Sequence, residues 1–188
     1  MKKLIMAIVC LMTMVAFTSC INGNAFASNV NETSSEEETS ESVCPTEKWV
    51  YEENIDEMND TKTYHAHLVS ENYVEQDLPY SKTNALIGIR HTKKYGNEVM
   101  LFIGSGQIHG SEYDNSNYVE VRFDNNPSKK YYFGESESGS YDIIFLHNAK
   151  DFISNCKKAN NIKIKIPIFQ EGRELFTFHS DNLLAWSH

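Results

Sequence analysis

Hydrophobic and polar residues alternate along much of the second half of the chain. In residues 118–123, Val, Val and Phe alternate with Tyr, Glu and Arg, and in residues 162–166 three isoleucines alternate with two lysines. A period of two places successive side chains on opposite faces of a sheet. The pattern therefore predicts strands with one buried face and one face in water.

Runs of apolar, β-branched and aromatic residues predict further strands, and turn residues separate them. Lys94–Asn97 predicts a hairpin, and Glu171-Gly172 predicts a second one. Asn125–Ser128 turns the chain between two more strands. The predicted strands are residues 64–69, 85–91, 98–103, 118–123, 130–133, 141–146, 162–168 and 175–178.

One segment has a helical period instead. Apolar residues recur three and four positions apart within residues 148–160, and Asn148 is the predicted N-cap. Residues 181–186 predict one short helical turn. The expected fold class is mainly β, an antiparallel β-sandwich or half-barrel with one α-helix at about residues 148–160.

The chain begins with the pattern of an export signal. Two lysines precede the apolar run Leu4–Phe17, which is too short to cross about 30 Å of hydrocarbon as a permanent helix. Cys20 follows Thr-Ser directly, as in a bacterial lipobox. We therefore expect residues 1–19 to be a cleaved signal peptide and Cys20 to carry lipid. Cleavage after Ala27 is the alternative and would release a soluble protein.

Charge is concentrated in the segment after the signal. Residues 20–47 contain six glutamates and few large apolar residues, so we expect an acidic disordered tether before a β-rich globular domain at residues 48–188. Such a tether would span roughly 30 Å. The whole chain has a net charge of -9 and a pI near 5.2. This charge argues against nucleic acid and anionic lipid surfaces as partners of the whole molecule.

Two cysteines follow the predicted lipidation site. The export compartment permits disulfides, and a bridge between Cys44 and Cys156 would close a loop of about 100 residues. In the chain-entropy model such a bridge contributes on the order of 4–5 kcal/mol. Two unpaired thiols are the alternative, with Cys156 a small apolar residue on a helix face.

Candidate catalytic chemistry is sparse. His65 and His67 lie two positions apart on a predicted strand, so they share a face and would bind zinc or copper only with a third ligand. The sequence names no third ligand. Gly104-Ser105-Gly106 lacks the spacing of a nucleophile elbow and predicts a turn. We expect no catalytic residue, no metal and no cofactor.

A binding surface is a better candidate than an active site. Arg122 and Asp124 are predicted on one side of a strand, where the pair would fix the strand register or receive a carboxylate from a partner. An ordinary cross-strand ion pair is the alternative. Exposed tyrosines would add contact area at low entropic cost. The candidate residues are Arg90, Arg122, Asp124, Tyr118 and Tyr131.

Several short motifs follow one another in a familiar order. They are Trp49, Asp56, Met58, Asp60, Leu86–Arg90, Val119–Asp124, Ser136, Ser138, Phe145, Phe152-Ile153, Ile162–Ile168, Glu171-Gly172, Phe176 and Phe178. This order resembles the VasI (TagO) family of small exported proteins associated with type VI secretion, over about residues 48–186. The resemblance implies a non-enzymatic envelope β-domain with no catalytic residues to transfer. Related proteins often have a cysteine after this first strand pattern, whereas His91 follows Arg90 here.

Together these features predict a non-enzymatic, membrane-anchored envelope lipoprotein that contacts another envelope or secretion component. The alternatives are a protective immunity or inhibitor lipoprotein, and a metal-dependent hydrolase that uses His65 and His67. The expected location is the cell envelope, at the outer membrane or a periplasmic membrane face, or outside the cell after cleavage at Ala27. Nucleic acid is not an expected partner, and the sequence leaves the oligomeric state open.

Overall fold

A computed structural model of the protein describes residues 48–188, so the predicted signal peptide and tether lie outside the described residues. This region contains nine strands and one helix. The helix is α1 (Ala149–Cys156), between the seventh and eighth strands. The strands are β1 (Val50–Asp56), β2 (Thr61–Val69), β3 (Ala85–Thr92), β4 (Gly96–Ile103), β5 (Tyr118–Phe123), β6 (Lys129–Glu135), β7 (Ile143–Leu146), β8 (Asn161–Ile168) and β9 (Gly172–His179).

The strands of the described region form one antiparallel sheet in the order β1-β2-β3-β4-β7-β6-β5-β8-β9. Buried side chains from both halves of the sheet belong to a single core. The sheet therefore curls around that core, with an apolar inner face and a more exposed outer face, on which Met100 of β4 is nevertheless buried. The predicted class, mainly β and antiparallel with one helix, is confirmed. One continuous curled sheet corresponds to the half-barrel alternative.

The segment after β2 covers the margin of β9. The Glu71 amide donates to the Thr177 carbonyl over 2.8 Å. The Asn72 side chain donates to the Leu175 carbonyl over 2.8 Å. Its Oδ1 accepts from the Thr177 amide at 2.7 Å and from the Thr177 hydroxyl at 3.0 Å. These bonds take the place of those that another strand would make with the backbone of β9.

Helix α1 packs against the inner face of the sheet. Phe152 and Cys156 are fully buried, and the Phe152 ring lies edge-on to Phe123 and Tyr131 with centroids 5.4 Å apart in both pairs. The helix ends before the predicted position. Asn148 precedes it as predicted, but its backbone is left-handed with φ of 59° and its side chain makes no capping hydrogen bond. Packing of the apolar side of the helix therefore holds it more than its cap does.

The two ends of the described region differ from the sequence prediction. Strand β1 was not predicted, because its residues are exposed on both faces and do not alternate. The helical turn predicted at residues 181–186 is wrong, since that segment is irregular. Trp186 is buried there and donates from Nε1 to Asn97 Oδ1 over 3.1 Å, so tertiary contacts fix the segment. Within residues 48–188 no helix has the length and apolar character to span a bilayer.

Candidate binding surfaces

Outer side chains of β5, β6, β8 and β9 form a surface that we call the basic face. Strand register places Arg122 opposite Lys163, and Lys165 opposite Leu175. Residues that pair across antiparallel strands have neighbouring side chains on the same face. The predicted candidates Arg122 and Tyr118 both belong to it. Its members are Lys130, Arg122, Lys163, Lys165, Arg173, Tyr118, Tyr132 and Leu175, with Glu120 as the acid among them.

Two cations of the basic face contact the ring of Tyr118. Lys130 Nζ lies 4.0 Å from the ring centroid, and Arg173 Cζ lies 3.7 Å from it. Arg173 also donates to the backbone carbonyl of Tyr118 over 2.6 Å and to that of Ser116 over 3.1 Å. A cation above an exposed aromatic ring contributes about 0.5–1 kcal/mol. These contacts position the charges at this corner of the face before any ligand arrives.

The charges of the basic face have no ion-pair partner among residues 48–188. None of its five cations lies within 4.0 Å of a carboxylate. Toward β6 the face continues into a shallow cleft lined by Lys129, Tyr132, His147 and Asn148. Lys129 lies 3.5 Å from the Asp151 carboxylate, so its charge is already partly balanced. The face is thus locally positive although the chain as a whole is negative.

The predicted histidine pair and Arg90 lie on the outer face of β2 and β3. His65 and His67 share this face, and His65 lies opposite Arg90. Arg90 donates to the Glu98 carboxylate from Nε over 2.9 Å and from Nη2 over 2.7 Å, so this ion pair uses its charge within the sheet. Burial, followed by the Arg90 charge, lowers the pKa of His65. The described residues contain no group of three His, Cys, Asp or Glu side chains suited to a metal ion.

Two other candidates have structural positions instead. Tyr131 is only 4% exposed and its hydroxyl donates to Asp151 Oδ2 over 2.5 Å, so it lies on the inner side of β6 and outside any exposed surface. Asp124 has a left-handed backbone with φ of 47°, and its carboxylate accepts from the Asn161 amide at 2.9 Å. The predicted Arg122–Asp124 pair does not form, because Asp124 lies beyond the end of β5 and binds the start of β8.

Cys156 has no disulfide partner within residues 48–188, and the core buries it completely. Burial raises the pKa of this thiol well above its ordinary value, so it stays protonated near neutral pH. Cys20 and Cys44 lie outside the described residues. Lipidation of Cys20 and the Cys44–Cys156 bridge therefore stay predictions.

Four loops meet at one end of the sheet, which we call the loop end. Hydrogen bonds join these loops to one another: Gln76 Nε2 donates to the Ser105 carbonyl over 3.0 Å, and the Ile108 amide donates to the Tyr141 carbonyl over 2.7 Å. Further hydrogen bonds join the loop of residues 169–171 to the loops of residues 70–84 and 104–117. The rigid sheet and these bonds position the loops together. The loops are residues 70–84, 104–117, 136–142 and 169–171.

The loop end exposes large apolar and aromatic side chains. Tyr113 is fully exposed, Leu78 is 90% exposed and Tyr141 is 62% exposed, while Tyr73 and Phe169 are about half exposed. Ser, Gly and Asn surround these residues, a composition typical of recognition loops. The loops carry one lysine, Lys82, against eight acidic residues. The acids are Glu71, Glu75, Asp77, Glu112, Asp114, Glu137, Asp142 and Glu171.

Comparison with known proteins gives no assignment. No protein-family model, no curated protein and no solved structure matches this chain. The resemblance to the VasI (TagO) family therefore stays a prediction. The function has to be inferred from the two surfaces themselves.

Proposed function

We propose that this protein is a non-catalytic, lipid-anchored envelope lipoprotein that binds another envelope or secretion component through its loop end. The observation that carries the proposal is the group of exposed aromatic and apolar side chains on loops joined by hydrogen bonds. Large rings that stand in water gain free energy when a partner buries them. Loops that are already positioned lose little conformational entropy on binding, which favours recognition.

The charge of the loop end indicates the chemistry of the partner. Eight acidic residues and one lysine give this end a negative potential, so a cationic protein surface is favoured and an anionic one is repelled. Tyr113 and Leu78 are the most exposed of these side chains and are the expected central contacts. The partner should therefore offer apolar pockets bordered by lysine or arginine.

A protective lipoprotein would use the same surface. An immunity or inhibitor protein of the envelope would bind an incoming effector where the accessory module binds a component of its own cell. The identity of the bound protein separates these two roles. The accessory module would bind a component of the cell's own envelope or secretion apparatus, whereas the protective lipoprotein would bind a toxin.

Site-specific photo-crosslinking in living cells tests the loop-end contact. A photoreactive amino acid would replace Tyr113 or Tyr141 in the full chain. Tyr95 is the matched control, since it is an exposed tyrosine in the turn between β3 and β4, at the opposite end of the sheet. We expect the same discrete protein adduct from positions 113 and 141 and none from position 95.

Two further results bear on the same contact. Tyr141→Ser should lower the yield of the adduct at position 113 several-fold, because a tyrosine that an interface buries typically contributes about 1–2 kcal/mol. Adducts of equal yield from positions 95 and 113, or no adduct from any position, would contradict the proposal.

A further inference from the structure

The basic face differs from the loop end in charge, position and form. It lies on the outer side of four neighbouring strands, whereas the loop end lies beyond the ends of the strands. Five cations and one acid make it positive, and the described residues place no carboxylate within ion-pair distance of those cations. The face therefore attracts an anionic partner.

The side chains between the cations narrow the chemistry of that partner. Tyr132 and Leu175 are both more than two-fifths exposed, and Tyr118 lies among the charges. Lysine and arginine stems next to exposed tyrosine and leucine are typical of surfaces that contact lipid headgroups, where the rings sit at headgroup level and the cations meet phosphate. A soluble polyanion makes no use of an exposed leucine.

The shape of the basic face also favours lipid headgroups over a soluble polyanion. It is the outer surface of a curled sheet, so it presents its cations in rows about 4.8 Å apart across the strands. Proteins that bind a linear polyanion hold it in a positively charged groove. An array of cations spread over several strands instead matches a surface that carries many phosphates side by side.

From these observations we propose that the basic face docks the domain directly onto anionic phospholipid headgroups. This contact is separate from the loop-end contact and from the predicted acyl group at Cys20. It orients the domain with β5, β6, β8 and β9 toward the bilayer. The acidic loop end then lies to the side, where screening over about 10 Å at 0.1 M salt limits its repulsion from the lipid.

Vesicle co-sedimentation tests the contact without the acyl group. Residues 20–188 would be produced with Cys20→Ser and mixed with vesicles of phosphatidylcholine alone or of phosphatidylglycerol and phosphatidylcholine at about 1:2. We expect binding to the vesicles that contain phosphatidylglycerol at about 50 mM salt, and its loss at about 500 mM.

A pair of matched variants locates the binding on the sheet. Lys163→Gln with Lys165→Gln removes two exposed cations of the basic face, and Lys157→Gln with Lys158→Gln removes two exposed cations just after α1. Each lysine near an anionic surface contributes about fivefold to partitioning, so the first variant should bind at least about tenfold more weakly. The second variant should stay within about twofold of the parent chain.

Three outcomes would overturn the proposal. The first is equal partitioning to both kinds of vesicle, and the second is an equal loss of binding in the two variants. The third is binding of inorganic polyphosphate without binding of vesicles, which would assign the face to a soluble polyanion. None of these outcomes affects the crosslinks expected at Tyr113, so the two contacts can fail independently.

Discussion

Replacement of Asn72 by alanine should loosen the margin of β9 and destabilise the whole domain. The Asn72 side chain makes three hydrogen bonds to β9, with the Leu175 carbonyl, the Thr177 amide and the Thr177 hydroxyl. Each such bond contributes about 0.5–1.5 kcal/mol net, and the side chain is partly exposed, so we expect a loss of about 2 kcal/mol. For a domain of this size that loss lowers Tm by about 8 °C.

Two measurements check this expectation. Urea denaturation gives the free energy of unfolding, and hydrogen exchange followed by NMR reports the Thr177 amide directly. This amide loses its acceptor in Asn72→Ala and should exchange more than about tenfold faster. The amides of β9 that bond to β8 keep their partners, so they should accelerate only as far as global stability falls.

A double-mutant cycle shows whether the bonds themselves are responsible. Thr177→Val removes only the hydroxyl bond and should cost about 1 kcal/mol in the parent chain, but close to nothing once Asn72 is alanine. Asn54→Ala is the control, because Asn54 is exposed on β1 and makes no side-chain hydrogen bond within the described residues. Full additivity of the two changes, or an equal loss from Asn54→Ala, would refute the reasoning.

Two further changes test a hydrogen bond on the inner side of the sheet and a close packing contact within the loop 104–117. Tyr131→Phe removes the hydroxyl that binds Asp151 and should cost about 1 kcal/mol in urea denaturation at pH 7. That hydrogen bond is the main cause that lowers the pKa of Asp151. The hydrogen bond therefore stabilises the folded domain fully above about pH 4, where the Asp151 carboxylate is ionised, and this stabilisation falls as the pH drops below the ordinary Asp pKa. The difference between parent and variant should therefore shrink at pH 3, and a constant difference would contradict this cause. Gly110→Ala should cost about 1–3 kcal/mol, because an added Cβ would lie 2.7 Å from the Asn117 Cα. Gly134→Ala is its control, where the added Cβ meets no atom closer than 3.4 Å, and an equal Tm loss in both would count against the clash.

Strands with one buried face were predictable from local pattern, and the strand without one was not. Residues 118–123 alternate fully, and β5 spans that range. In β1 the sequence Val-Tyr-Glu-Glu-Asn-Ile-Asp has no period, because neither face of the strand is buried. This strand forms through backbone pairing with the free edge of β2, supported by a cross-strand ion pair between Glu53 and Lys62 at 2.6 Å, and neither contact produces a hydrophobic period.

The basic face was only partly predictable for a related reason. Arg122 and Tyr118 were recognised, and Lys163 and Lys165 were expected in water because they alternate with isoleucines. Their assembly into one surface requires that β8 pairs with β5, a contact distant in sequence that no local pattern reveals. A net charge of -9 also averages over the molecule and conceals a positive region. Burial of Tyr131 depends on the same long-range packing.

The two margins of the sheet bear on how closely copies of this domain can be crowded. The backbone of β9 is already engaged by Asn72, so it offers few free groups for fibre growth. The outer margin of β1 is open in the described region, but an antiparallel pairing of two copies centred on this strand would set Glu53 against Glu53. If the domain docks on a bilayer as proposed, many molecules would therefore share a small area at high two-dimensional density without joining edge to edge.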